Sequence, residues 1–156
     1  MQCSFFSEGA VERRVCTAGT ATLIAAAATT LLLALGAAAA EGSIAIELNK
    51  LEPQGKQCRA YFVIDNKSST NFQELKLDIV LFKADGVIGR RFAVDLAPLK
   101  AEKRAVKLFD IEDTACDDVG SFLINDVMEC KADSGPVPDC LKDITVSSRT
   151  SVQLSK

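Results

Sequence analysis

Two hydropathy regimes divide the chain. Up to residue 40 the chain is rich in Ala, and from Leu23 apolar positions follow one another almost without interruption, whereas from Glu41 onward short β-branched and aromatic runs alternate with polar residues and are parted by turn formers. Alternation of period two marks a strand with one face on a core and the other in water. Leu75–Phe82 shows it best: Leu75, Leu77, Ile79 and Leu81 point one way, Lys76 and Asp78 the other. The same reading predicts strands over Ile44–Leu48, Arg59–Ile64, Val87–Leu96, Arg104–Ile111, Phe122–Glu129 and Leu141–Leu154. In the last of these Ile144 and Val146 lie on one face, and Thr145, Ser147 and Arg149 on the other. Ala84-Asp85-Gly86 supplies a tight two-residue hairpin, since Gly accepts the positive φ such a turn requires. Pro98 ends the fourth strand, Glu112–Ser121 is a polar connection, and Asp133-Ser134-Gly135-Pro136 is a loop. No long stretch of helical period competes. Seven short strands in roughly 110 residues predict an all-β, immunoglobulin-like two-sheet β-sandwich.

The first regime reads as an address. Arg13 and Arg14 precede the apolar run Leu23–Leu35, which ends at Gly36 and Ala37 to Ala40. A charged start, an apolar middle and a small-residue end make a signal peptide, helical while it lasts. Ala38-Ala39-Ala40 places cleavage before Glu41, so residues 1–40 form the signal peptide and 41–156 the mature domain, with no stable membrane span after cleavage. The competing reading is an uncleaved anchor, because Ala18–Ala40 holds no charge and a bilayer takes about 20 apolar residues. Val15-Cys16-Thr17 stands where a twin-arginine signal carries a large apolar pair, so the general export route is equally open. The Ala-rich leader reads as bacterial and the destination as the periplasm or beyond.

Composition narrows the chemistry. A net charge of −3 with no basic stripe gives nucleic-acid phosphates nothing to bind. The absence of His removes the commonest general base, the Ser-His and Cys-His nucleophile pairs and the His-containing metal sites. The expectation is a protein without catalytic residues and without a cofactor.

Cleavage removes Cys3 and Cys16 and leaves Cys58, Cys116, Cys130 and Cys140. Four cysteines in a small exported domain read as two disulfides, and no C-x-x-C offers a redox pair or a zinc ribbon. In the predicted sandwich Cys58 lies at the first connection and Cys116 at the fifth, which share one end. Cys130 closes the sixth strand and Cys140 opens the seventh at the other end. The topology therefore predicts Cys58 with Cys116 and Cys130 with Cys140, both near loops.

A resemblance accompanies these features. Leu81-Phe82-Lys83-Ala84-Asp85-Gly86-Val87, Val106–Ile111, Cys116-Asp117-Asp118-Val119-Gly120-Ser121-Phe122-Leu123-Ile124-Asn125, Cys130, Cys140 and Ser147-Ser148-Arg149-Thr150 resemble a family of exported alphaproteobacterial proteins usually called only Tat-signal or hypothetical proteins. The resemblance spans about Gln57 to Val152. It implies export, four paired cysteines and a sandwich, and it brings no catalytic residues.

Several clusters need weighing. Asp110, Glu112, Asp113, Asp117 and Asp118 put hard oxygen ligands near one loop, the requirement of calcium, but the EF-hand register is absent. Nothing holds one acid protonated in a cleft, as sugar hydrolysis requires. Arg90, Arg91 and Arg149 read as anion forks or as charges guarding strand edges. Val80 and Phe82, on the polar face of their strand, are covered by a loop or belong to a patch that meets a partner. Asn125 beside Asp126 reads as a buried amide with a structural hydrogen bond. Asn66-Lys67-Ser68 matches a glycosylation acceptor, which a bacterial leader makes uninformative. The leading expectation is a non-catalytic periplasmic module that binds another envelope protein. The competitor is a calcium-dependent or small-ligand-binding protein.

Overall fold

The structure, a computed structural model, describes residues 43–156. The expected leader and its cleavage site lie outside the described residues. From Ser43 on the regular structure is strand apart from two short turns: β1 Ile44–Gln54, β2 Gln57–Asn66, β3 Phe72–Lys83, β4 Ile88–Asp95, β5 Lys103–Ile111, β6 Val119–Ala132, β7 Gly135–Pro136, β8 Ile144–Ser148 and β9 Gln153–Ser155. Short 3₁₀ turns at Cys116–Asp118 and Cys140–Asp143 complete it.

These strands make two mixed sheets packed as a β-sandwich. One has the order β5-β2-β1-β8; the other runs β4-β3-β6-β7, with β9 also on β6. Each strand feeds the space between the sheets by period two: Ile44, Ile46 and Leu48 from β1, Ala60, Phe62 and Ile64 from β2, Leu75, Leu77, Ile79 and Leu81 from β3, and Phe122 and Ile124 from β6 are all buried. Phe62 meets Phe122 edge to face at 6.2 Å and Phe109 at 5.9 Å, which carries the core across from one sheet to the other. Fully burying an aliphatic or aromatic side chain of this kind contributes about 1.5–3 kcal/mol. Cys58 joins Cys116, and Cys130 joins Cys140, the two pairs the strand order led us to expect.

The expected seventh strand, Leu141–Leu154, is corrected to three pieces. Leu141 lies in a 3₁₀ turn; Ile144–Ser148 then crosses to run parallel to β1, with Ile144 opposite Ile44 and Val146 opposite Ile46. The chain turns again, and Gln153–Ser155 runs parallel to β6, Leu154 opposite Phe122. Hydroxyls make the break: Ser148 Oγ accepts the Thr150 N–H at 3.1 Å and donates to the Val152 carbonyl at 2.6 Å, bonds a continuous strand could not form. The β3–β4 connection also differs from the two-residue turn expected. Lys83 N–H bonds the Val87 carbonyl across a three-residue loop, and Gly86 takes φ 82° at its end. Gly120 is required for another reason, since a Cβ there would stand 2.3 Å from the Lys83 carbonyl oxygen.

Candidate binding surface

The outward face of the β5-β2-β1-β8 sheet presents an apolar centre inside a frame of ion pairs. Antiparallel register sets its rows. Val106 of β5 lies beside Val63 of β2, which lies beside Glu47 of β1; Leu108 lies beside Tyr61, which lies beside Lys50. Val106 and Leu108 are 55% and 50% exposed, values that decide the matter for residues whose strand neighbours Ala105 and Phe109 pack on the core. Lys50 Nζ sits 5.3 Å from the centre of the Tyr61 ring, a cation–π contact, and Tyr61 donates its hydroxyl to Glu52.

The frame is charged and internally matched. Arg59 grips Asp110 through two nitrogens at 2.6 and 2.9 Å, Arg104 meets Asp65 at 2.9 Å, and Arg149 reaches both oxygens of Glu47 at 3.0 Å. The Arg59 fork holds Asp110 below the usual carboxylate range. Glu47 is held low first by the amide of Asn49 and then by Arg149, and Glu52 first by Lys50 and then by the Tyr61 hydroxyl. Exposed pairs of this kind contribute little stability each. They orient charge instead, and here they surround the apolar rows on both sides.

The candidate residues of the sequence disperse. The carboxylates of Asp110, Glu112, Asp113, Asp117 and Asp118 are all exposed, and Asp110 is committed to Arg59. Among the described residues no group of three or more acidic or cysteine side chains could hold a metal ion. Arg91 grips Asp78 at 2.7 and 2.8 Å, Arg149 holds Glu47, and Arg90 donates to the Glu112 carbonyl. None of the three arginines forms an unoccupied fork, and they do not converge. Asn125 is exposed, against expectation, because it stands on the outer face of β6; its amide does make a structural bond, donating to Asp78 at 2.7 Å. Val80 is buried and Phe82 half-buried.

Nothing in the sequence singled out Tyr61, Val63, Val106 or Leu108, which only the β2–β5 register sets side by side, and two buried polar residues escaped sequence reasoning as well. Asp78 is buried on the outer face of its strand beneath Arg91 and Asn125, with its carboxyl held low by the guanidinium first. Asn66 is fully buried, donates to the carbonyls of Thr70 and Lys100 and accepts from Ser68, so the acceptor-like tripeptide is a loop clamp. Apart from being polar letters in apolar strands, neither carried a signal.

A groove lies elsewhere on the domain, beside the Cys130–Cys140 bridge. It is open, of about 620 Å³, and runs between Val127, Met128, Val137 and Leu141, with Asp126, Asp139, Lys142 and Lys156 at its rim. Its charges are of both signs, and Lys142 is bonded to Asp139 at 2.6 Å.

No protein-family model matches the chain, and no curated protein does. Among solved structures the fold is similar to that of IrmA from Escherichia coli, with a TM-score of 0.51 at 15% identity over 67% of this chain and 91% of that one. At that identity the likeness shows the two-sheet sandwich alone. Two disulfides fit an extracytoplasmic protein, and among the described residues no helix is long and apolar enough to cross a membrane.

Proposed function

We propose that the protein is an exported, periplasmic, non-catalytic module with an immunoglobulin-like sandwich that binds another envelope protein. The observation behind this reading is the outward face of β2 and β5, where Tyr61, Val63, Val106 and Leu108 form a contiguous apolar surface framed by the Arg59–Asp110, Arg104–Asp65 and Arg149–Glu47 pairs. An apolar centre with a charged rim is the anatomy of a protein interface. The complementary partner carries an apolar strip with alternating charges at its edges. Mild cross-linking of bacterial envelope, followed by copurification on the full chain with a C-terminal tag, tests the reading. A stoichiometric companion that disappears with Val63→Lys supports it, and a bait recovered alone refutes it. The bait mass also reports whether residues before Glu41 are removed.

A second reading, a small-ligand-binding protein, draws on the groove beside Cys130–Cys140. Its calcium-dependent form is checked by thermal melting with calcium and with chelator: a rise in Tm on adding calcium favours it over the partner reading.

A further inference from the structure

β5 ends its sheet, and no other described strand pairs with its outer edge. It is nine residues long and pairs with β2 from Lys103 to Ile111 without a bulge. Natural sheets blunt such edges, because regular unpaired N–H and C=O groups template another strand. The sequence of this edge reads symmetrically about Lys107: Arg104 and Asp110 lie three residues to either side, Val106 and Leu108 one residue to either side.

We infer that β5 pairs antiparallel with β5 of a second copy about a two-fold axis through Lys107, joining two four-stranded sheets into one of eight. In that register Arg104 stands opposite Asp110 of the second copy and Val106 opposite Leu108 of the second copy, each twice by symmetry. The match extends inward along rows already present. One row reads Glu52, Arg59, Asp110, then Arg104 and Asp65 of the second copy, alternating in sign at every step. The next reads Lys50, Tyr61, Leu108, then Val106, Val63 and Glu47 of the second copy, an apolar run closed by opposite charges. Neighbouring registers lose this. A shift of two residues one way sets Asp110 against Glu102 of the second copy, and two the other way sets Val106 against Asp110. A shift of one turns the apolar residues of one chain to the opposite face. The register creates one like-charge pair, Lys107 with its own copy. That side chain is half-buried on the inner face, and its ammonium is drawn onto the Ala97 carbonyl at 2.7 Å. Such an inward lysine discourages indiscriminate edge pairing, so the dimer depends on the outward matches.

This inference stands independently of the envelope partner, since it concerns the purified protein alone. Sedimentation velocity over a concentration series reads it, with two variants at exposed positions that leave the core untouched. Wild type is expected to reach dimer mass. Val106→Lys with Leu108→Lys places like charges opposite each other twice and weakens the dimer at least about tenfold. Val106→Lys with Leu108→Glu places opposite charges there, keeps the dimer, and makes it sensitive to salt. Thermal melting of each variant confirms the fold. A wild type that stays monomeric overturns the inference, as does a Lys/Lys variant that dimerises as tightly as wild type or a Lys/Glu variant that is as weak as Lys/Lys.

Discussion

The two disulfides close loops of very different size, and that difference sets their contributions to stability. Cys58 and Cys116 are separated by 58 residues, Cys130 and Cys140 by 10. The chain-entropy relation assigns the first about 4.2 kcal/mol and the second about 2.7 kcal/mol, because cross-linking a longer loop removes more conformations from the unfolded ensemble. Both pairs are replaced by alanine, which leaves no hydroxyl in place of the buried Cys58 and Cys140 sulfurs. Equilibrium urea unfolding then compares Cys58→Ala/Cys116→Ala with Cys130→Ala/Cys140→Ala at constant pH. The larger loop is expected to cost about 1.5 kcal/mol more, or about 6 °C in Tm for a domain of this size. Equal losses, or a greater loss from the Cys130–Cys140 pair, would refute the entropic reasoning and show that local packing around the β6–β7 hairpin dominates.

Three further outcomes follow from the core, from close approach and from the carboxylates. Phe122→Ala empties the point where the sheets meet through Phe62 and costs about 3–5 kcal/mol, measured by denaturant titration. Gly120→Ala drives a methyl into the Lys83 carbonyl and costs about 1–3 kcal/mol or more, and the same titration checks it; an unchanged midpoint would contradict the close approach. Asp78, Asp110 and Glu47 all have folded-state values below their ordinary ones, near 3.8 for Asp and 4.5 for Glu. Their contribution is therefore complete above those ordinary values and is lost as pH falls through the folded ones. The urea midpoint should stay level from neutrality to about pH 5 and then decline, less steeply for Asp78→Asn; a midpoint that rises on acidification contradicts the sign.

What was legible along the chain was whatever a local period or a local residue decides. β3 could be read from Leu75, Leu77, Ile79 and Leu81 because a pleated strand sends alternate side chains to one face whatever its partners are. All-β character, six of the strands and the cysteine pairs came the same way, the last because strand order alone sorts connections to two ends. The candidate binding surface was not legible: Val106 and Leu108 stand in a recognisable strand, but nothing local says that they face outward or that Tyr61 and Val63 lie beside them. Register between β2 and β5 decides that, and it joins residues more than forty positions apart.

Tertiary structure decided the rest for the same reason. Residues 141–154 read as one strand because apolar residues alternate with polar ones at Ile144 and Val146. They divide because β1 and β6 each offer an open edge near that point and the Ser148 and Thr150 hydroxyls can turn the chain between them. Asp78 reads as a solvent-facing carboxylate. It is buried because register sets β4 and β6 on either side of β3, where Arg91 and Asn125 satisfy its two oxygens and cover it. The acceptor-like match at Asn66 was uninformative, and Asn66 is a clamp because the carbonyls of Thr70 and Lys100 converge on it only once the loops have met. By itself the sequence determined which positions seek a core and which chain segments extend. Which edges meet, and which polar groups must therefore find partners away from water, depends on free energies of contact between distant segments, and only the folded chain brings those segments together.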